Sequence, residues 1–290
     1  MTLTQKLRDA FDILPDTQPQ FYICAEDGES YDVCLVQTSH GARVLKCAKG
    51  NEAEIYKTLL PSCPCVPQLF DCKEIDKKTY LLLSEAPGQP AMQLDRAVLV
   101  KIIDALVSIQ TRTWQDGSTG ADFGFESALD SRKKRGQYLQ DPLLEKAYAA
   151  YLALFSRLPR ALCHDDLLPF NALVSDEGAT LIDWEVAGIL PYPCCLARLL
   201  AHADDAPDAF FRITQADRTF AIDYYYEQLV CRKGISYADY RGALDLFFLY
   251  EYAEWIMLGH KYGNTDSERY HRNLALATAL ASKLSSTLEH

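Results

Sequence analysis

Between Leu162 and Trp184 the chain reads LCHDDLLPFNALVSDEGATLIDW. Two places after His164 stands Asp166, five further Asn171, and twelve beyond that Asp183, which follows the apolar pair Leu181 and Ile182. Carboxylate and amide oxygens in this order suit transfer of a phosphoryl group. That reaction asks for oxygen ligands to hold a divalent ion on the phosphates, and for one carboxylate within reach of the attacking hydroxyl.

Other readings of the same residues explain less. His-Asp dyads serve metal phosphohydrolases, but there the dyad sits on a helix among further histidines. Here Pro169 follows, and the nearest upstream histidine is the distant His40. A helix start rich in acids would account for Asp165 and Asp166 alone, but not for four polar residues interleaved with two short apolar strands.

The segment resembles the catalytic and metal-binding loops of the aminoglycoside phosphotransferase and choline kinase superfamily, the small-molecule branch of the protein-kinase-like fold. In kinases the pattern H-x-D-x-x-x-x-N is followed by an Asp-aromatic pair at a strand end. Members of the superfamily carry His-Gly-Asp where this chain has His164, Asp165 and Asp166, and Asp-Trp or Asp-Phe where it has Asp183 and Trp184. The resemblance implies that Asp166 is the catalytic base, since only it sits two after the histidine and five before the asparagine. Asp165 then fills the variable middle position, Asn171 and Asp183 hold Mg²⁺, and His164 braces the loop.

Upstream, Lys46 ends the run Val44-Leu45-Lys46 and a helix begins near Glu52, resembling the kinase lysine-glutamate pair at the α and β phosphates. Glu52 is preferred to Glu54 because Tyr56 and Leu59, four and seven residues on, match the apolar spacing that follows this acid in the family. The stretch Ala25 to Tyr31 has the position of a phosphate-covering loop, in which Gly28 and Ser30 offer an N–H and a hydroxyl; an ordinary hairpin turn fits it equally. Leu81 to Gly88 resembles the hinge, where adenine would bond to backbone groups near Ser84, Glu85 and Ala86. The implied cofactors are ATP and Mg²⁺.

One position departs from the pattern. After the Asp-Trp pair the family carries an aspartate in an Asp-Leu-Ala run, which anchors the catalytic loop, whereas this chain reads Cys195-Leu196-Ala197. A thiol is a weaker hydrogen-bond partner than a carboxylate. Either another acid such as Asp204 compensates or the loop is held less firmly. The alternative function, a nucleotide-binding pseudokinase or scaffold without turnover, rests on this cysteine and on the glycine-poor loop.

The elements that must position these residues follow from periodicity. Leu3, Leu7, Ala10, Phe11 and Leu14 predict a short opening helix, and strands follow at Phe21 to Cys24, Asp32 to Thr38 and Ala42 to Cys47. A hairpin over Val66 to Ser84, turning at Asp76-Lys77-Lys78, completes five strands. Helices are predicted over Asp95 to Gln110, Pro142 to Arg157 and from Ser236, with Asp239 as its capping-box partner, to about Gly259. The basic run Arg132 to Arg135 reads as a solvated helix end. The expected fold is α+β and protein-kinase-like with two lobes: an N-lobe, residues 1–86, with a five-stranded antiparallel sheet and one main helix, and a larger, mostly helical C-lobe, residues 87–290.

Composition narrows the partners. With 29 basic and 40 acidic residues the formal charge is −11, so the average surface repels nucleic acid and anionic membrane, and a cationic acceptor is the mild expectation. The acceptor in this superfamily sits against the C-terminal helices, where Glu251, Glu254 and Trp255 share a helical face and would suit an ammonium group. Ten scattered cysteines without a C-x-x-C read as reduced thiols of a cytoplasmic protein, and no run approaches a membrane span. No Walker motif occurs, and no A-P-E follows Asp183, which argues against a protein kinase. The expectation is an ATP- and Mg²⁺-dependent kinase acting on a hydroxyl of a small aminoglycoside-like, choline-like or sugar-like molecule.

Overall fold

The computed structural model describes residues 3–23, 28–115, 123–206 and 209–288. The chain divides into two compact units: Met1–Ala91 with Phe170–Ala187, and Met92–Pro169 with Gly188–His290.

The first unit opens with α1 (Gln5–Ala10), β1 (Gln20–Ile23), β2 (Ser30–Thr38), β3 (Gly41–Cys47), α2 (Glu52–Thr58), β4 (Leu69–Ile75) and β5 (Lys78–Leu83). The five strands form one antiparallel sheet in the order β1-β2-β3-β5-β4. Asp76 and Lys77 between β4 and β5 both have positive φ, as a two-residue hairpin turn with the twist of its strands requires. Strand alternation then sorts the faces. Cys34 and Val36, Leu45 and Cys47, and Tyr80 and Leu82 bury one face against Leu7 and Phe11 of the opening segment. Lys46, between Leu45 and Cys47, is therefore turned to the opposite face.

A two-residue strand, β6 (Gln89–Pro90), pairs with a later segment, which explains why the units part at Ala91 and not after residue 86 as the sequence suggests. In the second unit follow α3 (Arg96–Thr113), α4 (Phe125–Gly136), α5 (Pro142–Phe155) and β7 (Arg160–Cys163). The chain then contributes β8 (Ala172–Val174) and β9 (Ala179–Leu181) to the first unit, where β8 lies between β6 and β9. Gly88 approaches the backbone of Val174 and Ser175 so closely, at φ +106°, that no side chain fits there.

The second unit resumes with β10 (Gly188–Pro191), antiparallel to β7, and continues through α6 (Cys194–Ala201), α7 (Gln215–Tyr225), α8 (Tyr237–Tyr262) and α9 (Glu268–Leu288). The Ser236 hydroxyl accepts from the Asp239 N–H at 3.1 Å, capping α8 as its sequence predicts. This long helix is apolar on most sides, because α5, α6 and α9 all pack on it. Its rings join those of α5: Tyr151 stacks on Tyr250 at 4.9 Å and meets Phe247 edge-on at 5.1 Å. Among the described residues, no helix is long and apolar enough to cross a membrane.

Candidate active site

The first unit gathers three charged groups and an amide. Because Lys46 faces away from the sheet's apolar core, it meets α2, where its ammonium donates to Glu52 Oε1 at 2.6 Å and to Asp183 Oδ1 at 2.5 Å. Burial works against the lysine's charge, but Glu52 and then Asp183 outweigh it and hold the ammonium above its ordinary pKa. Glu52 is fully buried, and the rival Glu54 is exposed.

Asn171 and Asp183 come to the same end of one hairpin. With Ala172 paired to Leu181, the Ile182 N–H donates to the Asn171 carbonyl at 3.0 Å, so the residues flanking β8 and β9 are neighbours. Asn171 is buried, whereas the Asp183 side chain is 41% exposed. Asp183 has φ +66°, a region that aspartate tolerates better than most residues. The turn is pinned from behind by buried Trp184, whose indole N–H donates to the Leu181 carbonyl at 3.0 Å.

An amide and a carboxylate oxygen suit a hard cation such as Mg²⁺, which takes one or two protein oxygens and completes its shell with phosphate and water. Among the described residues no group of three or more His, Cys, Asp or Glu side chains could cage a metal by itself.

Ser30 begins β2, exposed, in register with Ile23, while Ala25, Glu26 and Asp27 of the expected phosphate-covering loop lie outside the described residues. Ser84, at the expected hinge, is engaged with the neighbouring strand. Its N–H donates to the Gln68 carbonyl and its hydroxyl accepts from the Gln68 N–H, both at 2.9 Å, so this amide already serves the β4 edge. Glu85 and Ala86 form no hydrogen bond among the described residues.

The second unit carries Asp166. β7 leads into the loop, where the His164 N–H donates to the Cys195 thiol sulfur at 3.2 Å. The anchor expected from an aspartate is thus retained with sulfur as acceptor. Asp204 does not substitute for it, being paired with Arg272. Cys163, Cys194 and Cys195 are all buried, and none of the nine described cysteines forms a disulfide.

Asp165 occupies the left-handed region at φ +58°, a conformation that glycine adopts without strain. It is held there by Arg132 at 2.6 Å. Arg132 corrects the reading of the basic run as solvated: it is 4% exposed, donates to the Tyr151 hydroxyl at 2.9 Å, and lies over the rings of Phe155 and Tyr250. The available signal was its spacing three after Leu129, on the buried face of α4.

Asp166 Oδ1 accepts from Arg198 Nη2 at 2.8 Å and Nε at 3.1 Å. The same guanidinium reaches Glu251 Oε2 and Glu254 Oε2, each at 2.9 Å, through Nη1. Burial opposes its charge, and Glu251 and Asp166 together raise its pKa regardless. No motif or spacing in the sequence marks Arg198 as part of this cluster. Glu254 is also paired with Arg135, and His202 lies 3.0 Å from Glu251. Trp255 donates to His202 Nδ1 at 3.4 Å and is covered on its face by Arg269 at 4.5 Å. Glu251, Glu254 and Trp255 are thus brought together as expected, but each already has an internal cationic partner.

The model of the phosphotransferase enzyme family matches residues 25–229. The chain belongs to that family. No curated protein matches this phosphotransferase-family chain. Solved structures similar to it include an aminoglycoside phosphotransferase from Alicyclobacillus acidocaldarius, 16% identical, with TM-score 0.64 and coverage of 100% of this chain and 98% of the other. Another is amicoumacin kinase hAmiN in complex with AMP-PNP, Ca2+ and Ami, 12% identical, with TM-score 0.66 and coverage of 96% and 92%. A choline/ethanolamine kinase family protein from Mesorhizobium loti is 15% identical, with TM-score 0.60 and coverage of 97% and 99%. At such identities the likeness establishes the fold, which is α+β and protein-kinase-like.

Proposed function

We propose that this phosphotransferase uses Mg-ATP to phosphorylate a hydroxyl of a small molecule. The observation that best supports this is Lys46 held between Glu52 and Asp183, with Asn171 at the same hairpin end as Asp183. Bound Mg²⁺ would neutralise charge on the phosphate oxygens, with Asn171 and Asp183 as its protein ligands. Lys46 would exchange its bond to Asp183 for phosphate oxygens while Glu52 keeps it in place. Adenine would take its backbone bonds from Glu85 and Ala86. Asp166 would orient the acceptor hydroxyl and receive its proton, with Arg198 fixing the carboxylate's direction.

The alternative, a nucleotide-binding protein without turnover, rests on Cys195 in the place of an aspartate and on the glycine-poor loop. The Cys195 bond to the His164 N–H weakens that suggestion, because the loop keeps an anchor. The deciding experiment incubates the purified protein with Mg-ATP and panels of sugars, amino alcohols, nucleosides and aminoglycosides, and reads product mass. Gain of one phosphate on a panel member supports the kinase. Stabilisation by Mg-ATP with no transfer across the panels supports the alternative.

A further inference from the structure

The cluster around Asp166 contains four carboxylates, Asp165, Asp166, Glu251 and Glu254, and each already has a guanidinium partner among Arg132, Arg135 and Arg198. One negative charge is left over. Trp255, the aromatic face that a cation would seek, is covered by a fourth guanidinium, that of Arg269. A polyamine would have to compete with the protein's own arginines at every one of these places.

Arg198 is the node of this arrangement. Its side chain is 17% exposed and contacts three of the four acids, at 2.8 and 2.9 Å. Such a guanidinium fits planar carboxylates at several edges and loses little by burial when they surround it.

Resting on Asp166 as the acceptor-orienting carboxylate, we infer that Arg198 determines acceptor specificity: it limits the acceptor to a neutral or singly charged hydroxyl compound and excludes polycations. An alcohol of that class meets an acidic cluster whose charge is already nearly balanced. Replacing Arg198 by an apolar residue takes the guanidinium from Asp166 and Glu251 and leaves Glu254 with Arg135 alone, so an incoming polyamine finds acids to pair with.

The test titrates spermine, a tetracation without hydroxyls, into wild type, Arg198→Met and Arg198→Lys by calorimetry at physiological salt without nucleotide. Spermine should bind Arg198→Met about tenfold more tightly than wild type, the gain expected for roughly one recovered ion pair. Arg198→Lys should behave like wild type. Equal spermine affinity in wild type and Arg198→Met overturns the inference.

Should Arg198→Met fail to fold, the wild type decides. Transfer to glucose, inositol or choline, with kcat/KM well above that for aminoglycosides bearing three or more amines, supports the proposal; equal or better transfer to the polyamines refutes it. Absence of transfer to every acceptor counts against the kinase reading itself, and spermine calorimetry on Arg198→Gln, which removes the charge but keeps a polar side chain, then judges Arg198 by the same comparison with wild type.

Discussion

The guanidinium of Arg198 holds the carboxylate of Asp166 through two nitrogens, Nη2 at 2.8 Å and Nε at 3.1 Å, both on Oδ1. Two bonds onto one oxygen fix the direction of that carboxylate. In phosphoryl transfer such alignment matters, since orientation and charge stabilisation supply most of the rate.

Lys46 and Glu52 form a buried pair, the lysine side chain 10% and the glutamate 0% exposed. Lys46→Met strands Glu52, so urea denaturation should show a loss of about 3–5 kcal/mol. The double variant Lys46→Met/Glu52→Gln should recover much of it while still binding nucleotide poorly. Equal stability of the two variants would show that the pair is uncoupled.

Asp165 trades backbone strain for an ion pair. Asp165→Gly relieves the left-handed φ, worth about 1 kcal/mol, but leaves the buried Arg132 guanidinium without its carboxylate. The net effect should be destabilisation by about 2–4 kcal/mol, since removing one partner of a buried pair costs more than the strain. A melting temperature at or above that of wild type would contradict this weighting.

Cys195 anchors the loop through sulfur. Cys195→Ala removes the acceptor of a buried N–H and should cost about 1–3 kcal/mol in equilibrium denaturation. Cys195→Ser, which keeps an acceptor, should cost less. The reverse ranking would mean that packing of the larger sulfur dominates.

Acid stability follows from Glu251. Burial alone would raise its pKa, but Arg198, with a bond and charge from His202, pulls it down to about 2 from the usual 4.5. A depressed folded pKa stabilises fully above the unfolded value and is lost as pH falls through the folded one, here between 4.5 and about 2. The contribution is on the order of 3 kcal/mol. Denaturation followed against pH should show this fall in wild type and a shallower one in Glu251→Gln; identical slopes would remove Glu251 from the account.

How much of this was legible in the sequence depends on distance along the chain. β3 alternation and the apolar spacing of α2 placed Lys46 and Glu52, and a short hairpin made Asn171 and Asp183 neighbours because their separation is local. Arg198 left no such trace: its acidic partners lie 32, 53 and 56 residues away, and ion pairs across helices have no period to read. Arg132 was hidden in a run of like residues, where composition suggested water and helical phase decided burial. The Ser84 amide was claimed by Gln68 next to a register shift between Leu69 and Asp71, an irregularity that strand propensity does not encode.

Asp166→Asn, once an acceptor has been found, separates a residue that serves the acceptor from those that would hold the nucleotide. Mg-ATP affinity, read by calorimetry, should stay within a few fold of wild type, while the rate of phosphate transfer should fall by about 10²–10⁴. Transfer at the wild-type rate in that variant would contradict the assignment.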